Sequence, residues 1–301
     1  MSIDLREVKQ YGKLSFFAKQ AVEGFLIGLH KSPYKGFSVE FAEHKSYIAG
    51  ESTRHIDWKL YGRTDKLYTK EYDEETNLRC YIVIDSSSSM RFGNKNFSKL
   101  DFSAIISSTL IQLLNKQRDA IGIYTIDEEI TYKSEVKSSP KHANLLINYL
   151  ESLLNKKSDN ISTNLVESLH QIAQQIHKRS LVIIFSDLID RNNSPEELID
   201  ALNHIKYSNN EVIIFQPMDV AQEMDLDLEN KPHELTDIET GKKIKISPNE
   251  IRESYKKNSY NWMNKIKDLS AKFKLELIQV DINQNIDQIL LPFLIKRSKM
   301  K

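Results

Sequence analysis

The sequence predicts an α/β fold: a doubly wound, mainly parallel six-stranded sheet, preceded by an N-terminal helix and a charged extended segment. Three observations carry this. Short, almost wholly apolar runs recur from residue 80 onward, as in strands buried on both faces of a parallel sheet. Stretches with apolar residues at helical spacing separate those runs. Two of these stretches open on a proline, Pro140 and Pro195, which suits the first turn of a helix.

Taken in order, residues 14–30 have the apolar spacing of an amphipathic helix. Phe37–Phe41 alternates like a strand. Residues 51–79 are dense in charge and aromatics, which predicts an extended ion-paired segment with no apolar helical face. Residues 1–78 are therefore read as one region and 79–301 as the α/β domain. Within that domain strands are expected at Arg79–Asp85, Asp119–Thr125, Ile130–Tyr132, Ser180–Phe185, Glu211–Phe215 and Leu275–Val280. Helices are expected over about 98–117, from Pro140 to about Leu154, from about Leu165 to His177, from Pro195 to Ile205, and over about 248–271. Residues 217–247, with Glu239-Thr-Gly241 between short alternating runs, predict a hairpin insertion. The basic residues Lys296, Arg297, Lys299 and Lys301 read as a frayed, solvated terminus.

Composition excludes several functions. Lys+Arg and Asp+Glu both number 42 in 301 residues, so there is no basic surplus for non-specific nucleic-acid binding. A hydrophobic share of 40% is enough for a proper core. Cys80 is the one cysteine, so no disulfide forms within the chain, and its apolar run predicts a small buried hydrophobe. No signal-like segment opens the sequence and no run of about 18 apolar residues occurs, which predicts no membrane span and a cytoplasmic location. The eight histidines show no metal spacing.

The chemistry concentrates at three junctions. Asp85-Ser-Ser-Ser-Ser89 follows the first buried strand and places hydroxyls, Ser87 and Ser89, two and four residues after an acid. Ser186-Asp187 follows another buried strand, and Ile161-Ser-Thr163-Asn opens a helix. Each feature alone also fits ordinary helix capping. In a doubly wound sheet, however, ligands bind where strand order reverses. If the order is 3-2-1-4-5-6, the strands ending in Asp85 and Asp187 are neighbours there. Two carboxylates and several hydroxyls then form a hard-oxygen set suited to Mg²⁺ or Mn²⁺, with a position open for an acidic side chain of a protein partner.

An Mg²⁺-dependent haloacid dehalogenase-like phosphohydrolase is the alternative. It needs a second acid two residues after the first, where Ser87 stands, and its lysine ahead of the last acid pair is not evident. A Gly-x-Ser-x-Gly elbow and a P-loop are both missing from the sequence.

Asp85-x-Ser87-x-Ser89, Thr163 and Asp187 together resemble the metal-ion-dependent adhesion site of von Willebrand factor A domains. The resemblance implies that Asp85 reaches the ion directly or through water, that Ser87 and Ser89 are direct ligands, and that Thr163 and Asp187 come from the second and third loops. Two positions depart from that pattern: Ile161-Ser162 stand where a glycine is usual near the threonine, and Leu188 stands where glycine often follows the third-loop acid. Gly50–Lys59, with Ile56-Asp-Trp58, and Arg63–Arg79, with Arg63-Thr-Asp-Lys-Leu67, closely resemble the signature of the domain of unknown function 58 family. That resemblance spans about Lys19 to Ile295 and implies a non-enzymatic bacterial adaptor or partner of a MoxR-type AAA+ ATPase. The family also has membrane-anchored members, and this chain resembles a soluble one. Arg54, Asp57, Arg63, Asp65 and Lys70 are expected to pair among themselves, and Trp58 and Tyr61 to act in packing.

Overall fold

The computed structural model describes residues 14–15, 18, 38–47, 56–75, 78–94, 97–156, 164–190, 192–236 and 242–298. The chain divides into two compact units, Ser32–Leu78, and Arg79–Lys301 with Met1–Lys31. In the smaller unit, β1 (Ser38–Ser46) pairs antiparallel with β2 (Tyr68–Glu75), with a bulge between Phe41 and Glu43. Between them lies a short helix, α1 (Trp58–Thr64), which corrects the expectation of a wholly extended segment. The cause is local. The Asp57 side chain accepts the backbone N–H groups of Lys59 and Leu60 at 3.0 and 3.1 Å, capping the start. Asp65, with φ +55°, closes the end by donating its N–H to the Tyr61 carbonyl at 2.9 Å. No residue of α1 is buried, so there is no apolar stripe for sequence periodicity to detect. Trp58 and Tyr61 also differ from expectation: both are exposed, Trp58 by 62%, and they contact each other edge to face at 6.3 Å. The helix expected over 14–30 lies outside the described residues except for Leu14, Ser15 and Ala18, which are helical.

The larger unit holds β3 (Arg79–Asp85), the two-residue strands β4 (Gly93–Asn94) and β5 (Phe97–Ser98), α2 (Lys99–Lys116), β6 (Ala120–Ile126) and β7 (Ile130–Lys133). It continues through α3 (Pro140–Asn155), α4 (Leu165–Gln175), β8 (Leu181–Phe185), α5 (Pro195–Tyr207) and β9 (Glu211–Met218). It ends with β10 (His233–Thr236), β11 (Lys243–Ile246), α6 (Pro248–Lys272), β12 (Glu276–Asp281) and α7 (Ile286–Ser298). The main sheet has the order β12-β9-β8-β3-β6-β7, parallel throughout except for β7. Numbered by appearance in the chain, this is the expected 3-2-1-4-5-6 order, so β3 and β8 flank the reversal point.

Alternation within buried strands assigns the faces. Tyr81, Val83, Val182 and Ile184 belong to one core with Leu169 and Ile172 of α4 and Leu198 and Leu202 of α5. Ile82, Ile84, Ile183 and Phe185 point to the other face, where the Phe215 ring meets Phe293 of α7 at 5.3 Å. Each such fully buried aliphatic side chain contributes about 1.5–3 kcal/mol. Cys80 is buried, as its apolar run predicts. Ser98 and Asp101 form a capping box that fixes the start of α2, and Ser194 and Glu197 form another on α5.

Two boundaries move. The expected insertion contains an antiparallel pair, β10 with β11, but β9 runs on to Met218, because its last residues still pair with β12 up to Asp281. The C-terminal basic residues are not all solvated. Arg297 is fully buried and donates to both Glu211 carboxylate oxygens at 2.5 and 2.9 Å, which docks α7 on the sheet. No helix among the described residues is long and apolar enough to cross a membrane.

Candidate functional site

β3 and β8 run side by side and in register, Ile84 opposite Phe185, so both chains leave the sheet at the same edge. Asp85, the last residue of β3, therefore meets Ser186, the first residue after β8. The Ser186 hydroxyl donates to Asp85 Oδ2 at 2.7 Å, and the Ser87 N–H donates to Oδ1 at 3.0 Å. Ser87 and Ser89 bring their hydroxyl oxygens within 3.1 Å of each other. The short helical turn Ser88–Arg91 and the β4–β5 pair bring the chain from these serines back into α2. Gly93 is required in that return: a Cβ there would lie 2.4 Å from the Phe97 carbonyl oxygen.

Asp85 is fully buried. Burial, and then the neighbouring Asp187 charge, push its carboxyl up to about 7 against the pull of the Ser87 and Ser186 hydrogen bonds. Asp187 is buried too and shares the edge, but its oxygens are engaged differently. Oδ1 accepts the Ile189 N–H at 3.1 Å, and Oδ2 accepts the Lys99 ammonium at 2.8 Å. Lys99 also donates to Glu223 Oε1 at 2.5 Å. Burial disfavours its charge, but the Asp187 and Glu223 carboxylates outweigh burial and hold the ammonium above its ordinary value.

Leu188, the departure from the glycine pattern, adopts φ +57°. The left-handed backbone that glycine takes without strain is thus present here with a leucine, held by full burial in the core and by its N–H on Ser186 Oγ at 3.0 Å.

The structure thus brings together Asp85, Ser87, Ser89 and Asp187 of the expected set. Thr163 lies outside the described residues. Its neighbour Asn164 donates its N–H to the Asp127 carbonyl at 3.2 Å, and the Leu165 N–H meets Asp190 Oδ2 at 3.2 Å, which ties the start of α4 to the loop after β8. Sequence reasoning missed Lys99 and Glu223. Lys99 stands at the first turn of a helix, where an exposed side chain is the ordinary expectation, and Glu223 lies 124 residues away from it. A sequence signal for that pairing does not exist in a single chain.

The donor set is all oxygen. A hexacoordinate Mg²⁺ with bonds of about 2.1 Å has adjacent ligands roughly 3.0 Å apart. The Ser87 and Ser89 hydroxyls, hydrogen-bonded to each other at 3.1 Å, are close enough for both to turn to one such ion. Among the described residues no three His, Cys, Asp or Glu side chains converge as a cage, so an ion here would rest on at most the two carboxylates Asp85 and Asp187 and on hydroxyls. The residues fit a hard divalent ion held with few protein charges. Beside this edge lies a cavity of about 390 Å³, lined mainly by apolar side chains, among them Met218, Tyr255, Trp262 and Met263, with Asp187 and Glu223 also on its wall.

A family model described as "Protein of unknown function DUF58" matches residues 43–264. An uncharacterized protein of Mycobacterium tuberculosis is 19% identical over 176 residues, covering 58% of this chain; the chain spans 55% of that protein's length. Among solved structures, the conserved hypothetical protein BatB from Bacteroides thetaiotaomicron is similar at a TM-score of 0.50 and 15% identity, covering 74% of this chain and 98% of that one. An Rpn10 von Willebrand A domain is also similar, at a TM-score of 0.41 and 12% identity, covering 75% of this chain and 97% of that one.

Proposed function

The chain belongs to the DUF58 family, and on that premise we propose that it is a protein-binding module whose docking depends on a divalent ion, Mg²⁺ or Mn²⁺, at the β3–β8 edge. One observation carries the reading: the buried Asp85 carboxylate and the adjacent, mutually hydrogen-bonded hydroxyls of Ser87 and Ser89 converge at the point where strand order reverses. Asp85, Ser87 and Ser89 would hold the ion, with Thr163 and Asp187 contributing from the second and third loops. The bound ion supplies a Lewis-acidic position for a carboxylate. So few protein charges leave it able to accept a Glu or Asp of a partner. A MoxR-type AAA+ ATPase is the proposed partner, with this chain acting as an adaptor, not an enzyme, in assembly or maturation of other proteins. The finding of Lys99 at the site does not revive the phosphohydrolase reading, because position 87 remains a serine and cannot relay the leaving-group proton.

The test has two stages. Titration calorimetry of metal-free protein with Mg²⁺ and Mn²⁺ should show binding that Asp85→Ala abolishes. A tagged chain should then retain a purified MoxR-type ATPase in Mg²⁺ and release it in EDTA. Retention that is unchanged by EDTA and by Asp85→Ala would refute metal-dependent docking.

A further inference from the structure

We propose that Lys99 is a tethered cation that sets the metal affinity of the site by competing with the divalent ion for Asp187; the proposal rests on the reading of the β3–β8 edge as a metal site. Lys99 is the first residue of α2, directly after the loop that carries Ser87 and Ser89, and its side chain is fully buried. Its ammonium lies between two carboxylates, 2.8 Å from Asp187 Oδ2 and 2.5 Å from Glu223 Oε1. One of these belongs to the metal edge. The other belongs to the turn Val220–Met224 and lines the adjacent cavity.

Asp187 cannot serve both cations fully. Its Oδ1 is held by the Ile189 N–H and its Oδ2 by Lys99. Either Asp187 stays with Lys99 and reaches the ion only through water, or the ion takes Oδ2 and Lys99 rests on Glu223 alone. In both cases a positive charge remains next to the ion in a water-poor site, and the ion binds more weakly than the oxygens alone would allow. Glu223 acts in the opposite sense, because it draws the ammonium away from Asp187. Glu223 is itself fixed: its Oε2 accepts the Asp219 N–H at 2.8 Å, and Asp219 caps the turn through the Gln222 N–H at 3.2 Å. The position of this turn therefore sets how much of Asp187 is free for the ion. A weak resident site that tightens when Lys99 is drawn off suits an ion that a partner's carboxylate completes.

The experiment uses Mg²⁺ alone, titrated calorimetrically into the full chain as wild type, Asp85→Ala, Lys99→Met and Glu223→Gln. Lys99→Met should bind Mg²⁺ at least about tenfold more tightly, because one like charge is gone and Asp187 is released. Its metal-free form should melt lower than the wild type and recover in Mg²⁺, since the buried Asp187 and the partly buried Glu223 lose their cation. Glu223→Gln should bind several-fold more weakly, because Lys99 then rests wholly on Asp187. Lys99→Met binding no more tightly than wild type, while wild type binds and Asp85→Ala does not, overturns the tethered-cation inference and leaves the metal reading standing. Absence of binding in both wild type and Lys99→Met overturns both. Should Lys99→Met fail to fold, Glu223→Gln decides: its side chain is one-fifth exposed, and binding as tight as wild type or tighter overturns the inference.

Discussion

Replacing Asp85 by asparagine should stabilise the metal-free protein at pH 8 and abolish its response to Mg²⁺. The Asp85 carboxyl is fully buried, and burial with the Asp187 charge raises it from 3.8 to about 7. In the unfolded chain the group titrates near its ordinary value. The folded state thus favours the protonated form. Its contribution to stability is fully present below about pH 4 and is lost as pH rises toward 7. At about 1.36 kcal/mol per pH unit, the loss approaches roughly 4 kcal/mol by pH 8. Asparagine carries no charge and escapes this loss. Its amide oxygen can take the Ser87 N–H, but its NH₂ group must turn toward Ser186 Oγ, which now donates to Asp85 and accepts from Leu188. That rearrangement consumes part of the gain, so the expected net stabilisation at pH 8 is about 1–3 kcal/mol. Urea denaturation in EDTA at pH 5 and pH 8 measures it. Wild type should lose more stability than Asp85→Asn between the two, and Mg²⁺ should raise wild type alone. A variant less stable than wild type at pH 8 in EDTA would refute the reasoning.

Glu211→Gln should cost about 3–5 kcal/mol by chemical denaturation, because it leaves the buried Arg297 guanidinium without its carboxylate; a loss under about 1 kcal/mol would show that water reaches the cation. Leu188→Gly should melt above Leu188→Ala although it removes more side chain, since glycine relieves a left-handed backbone penalty of about 1–2 kcal/mol that alanine keeps. The reverse order would mean that position 188 is unstrained. Cys80 should resist iodoacetamide until the protein unfolds, because the thiol is buried and burial raises it well above its ordinary value. Rapid modification of the native protein would contradict that burial.

What the sequence reveals is set by the range of the interaction. Cys80–Ile84, Leu181–Phe185 and Val212–Phe215 are buried on both faces, so their composition alone marks them as parallel strands, and the strand order then brings Asp85 and Asp187 to one edge. Helix α1 escapes because it is built from two aspartate caps and buries nothing. The misreading of Arg297 has a different cause. A basic residue near a chain end reads as solvated, and only the three-dimensional fold puts Glu211 beside it, 86 positions away. Lys99 is the same kind of case at the site. Buried cations are rare without partners, and both partners of Lys99 come from distant loops.

The two carboxylates at the edge are treated unequally, and the inequality bears on what the site can do. Had both Asp85 and Asp187 received a built-in cation, the edge would be an internally neutral ion-pair cluster with little to offer a divalent ion. Had neither received one, two buried like charges would stand side by side at the end of adjacent strands with nothing to hold either ionised. Instead Asp187 is given Lys99, whereas among the described residues no cation faces Asp85, whose partners are the Ser87 N–H and the hydroxyls of Ser87 and Ser186. Asp85 is therefore the carboxylate that gains most from an external cation, and the hydroxyls of Ser87 and Ser89 lie on its own loop. The remaining positions on such an ion fall to water or to an incoming carboxylate. A carboxylate brought by a partner would add the second negative charge that Lys99 withholds at Asp187. On this argument the lysine makes metal binding and partner binding depend on each other, as the coupling free energy of two ligands at one site requires.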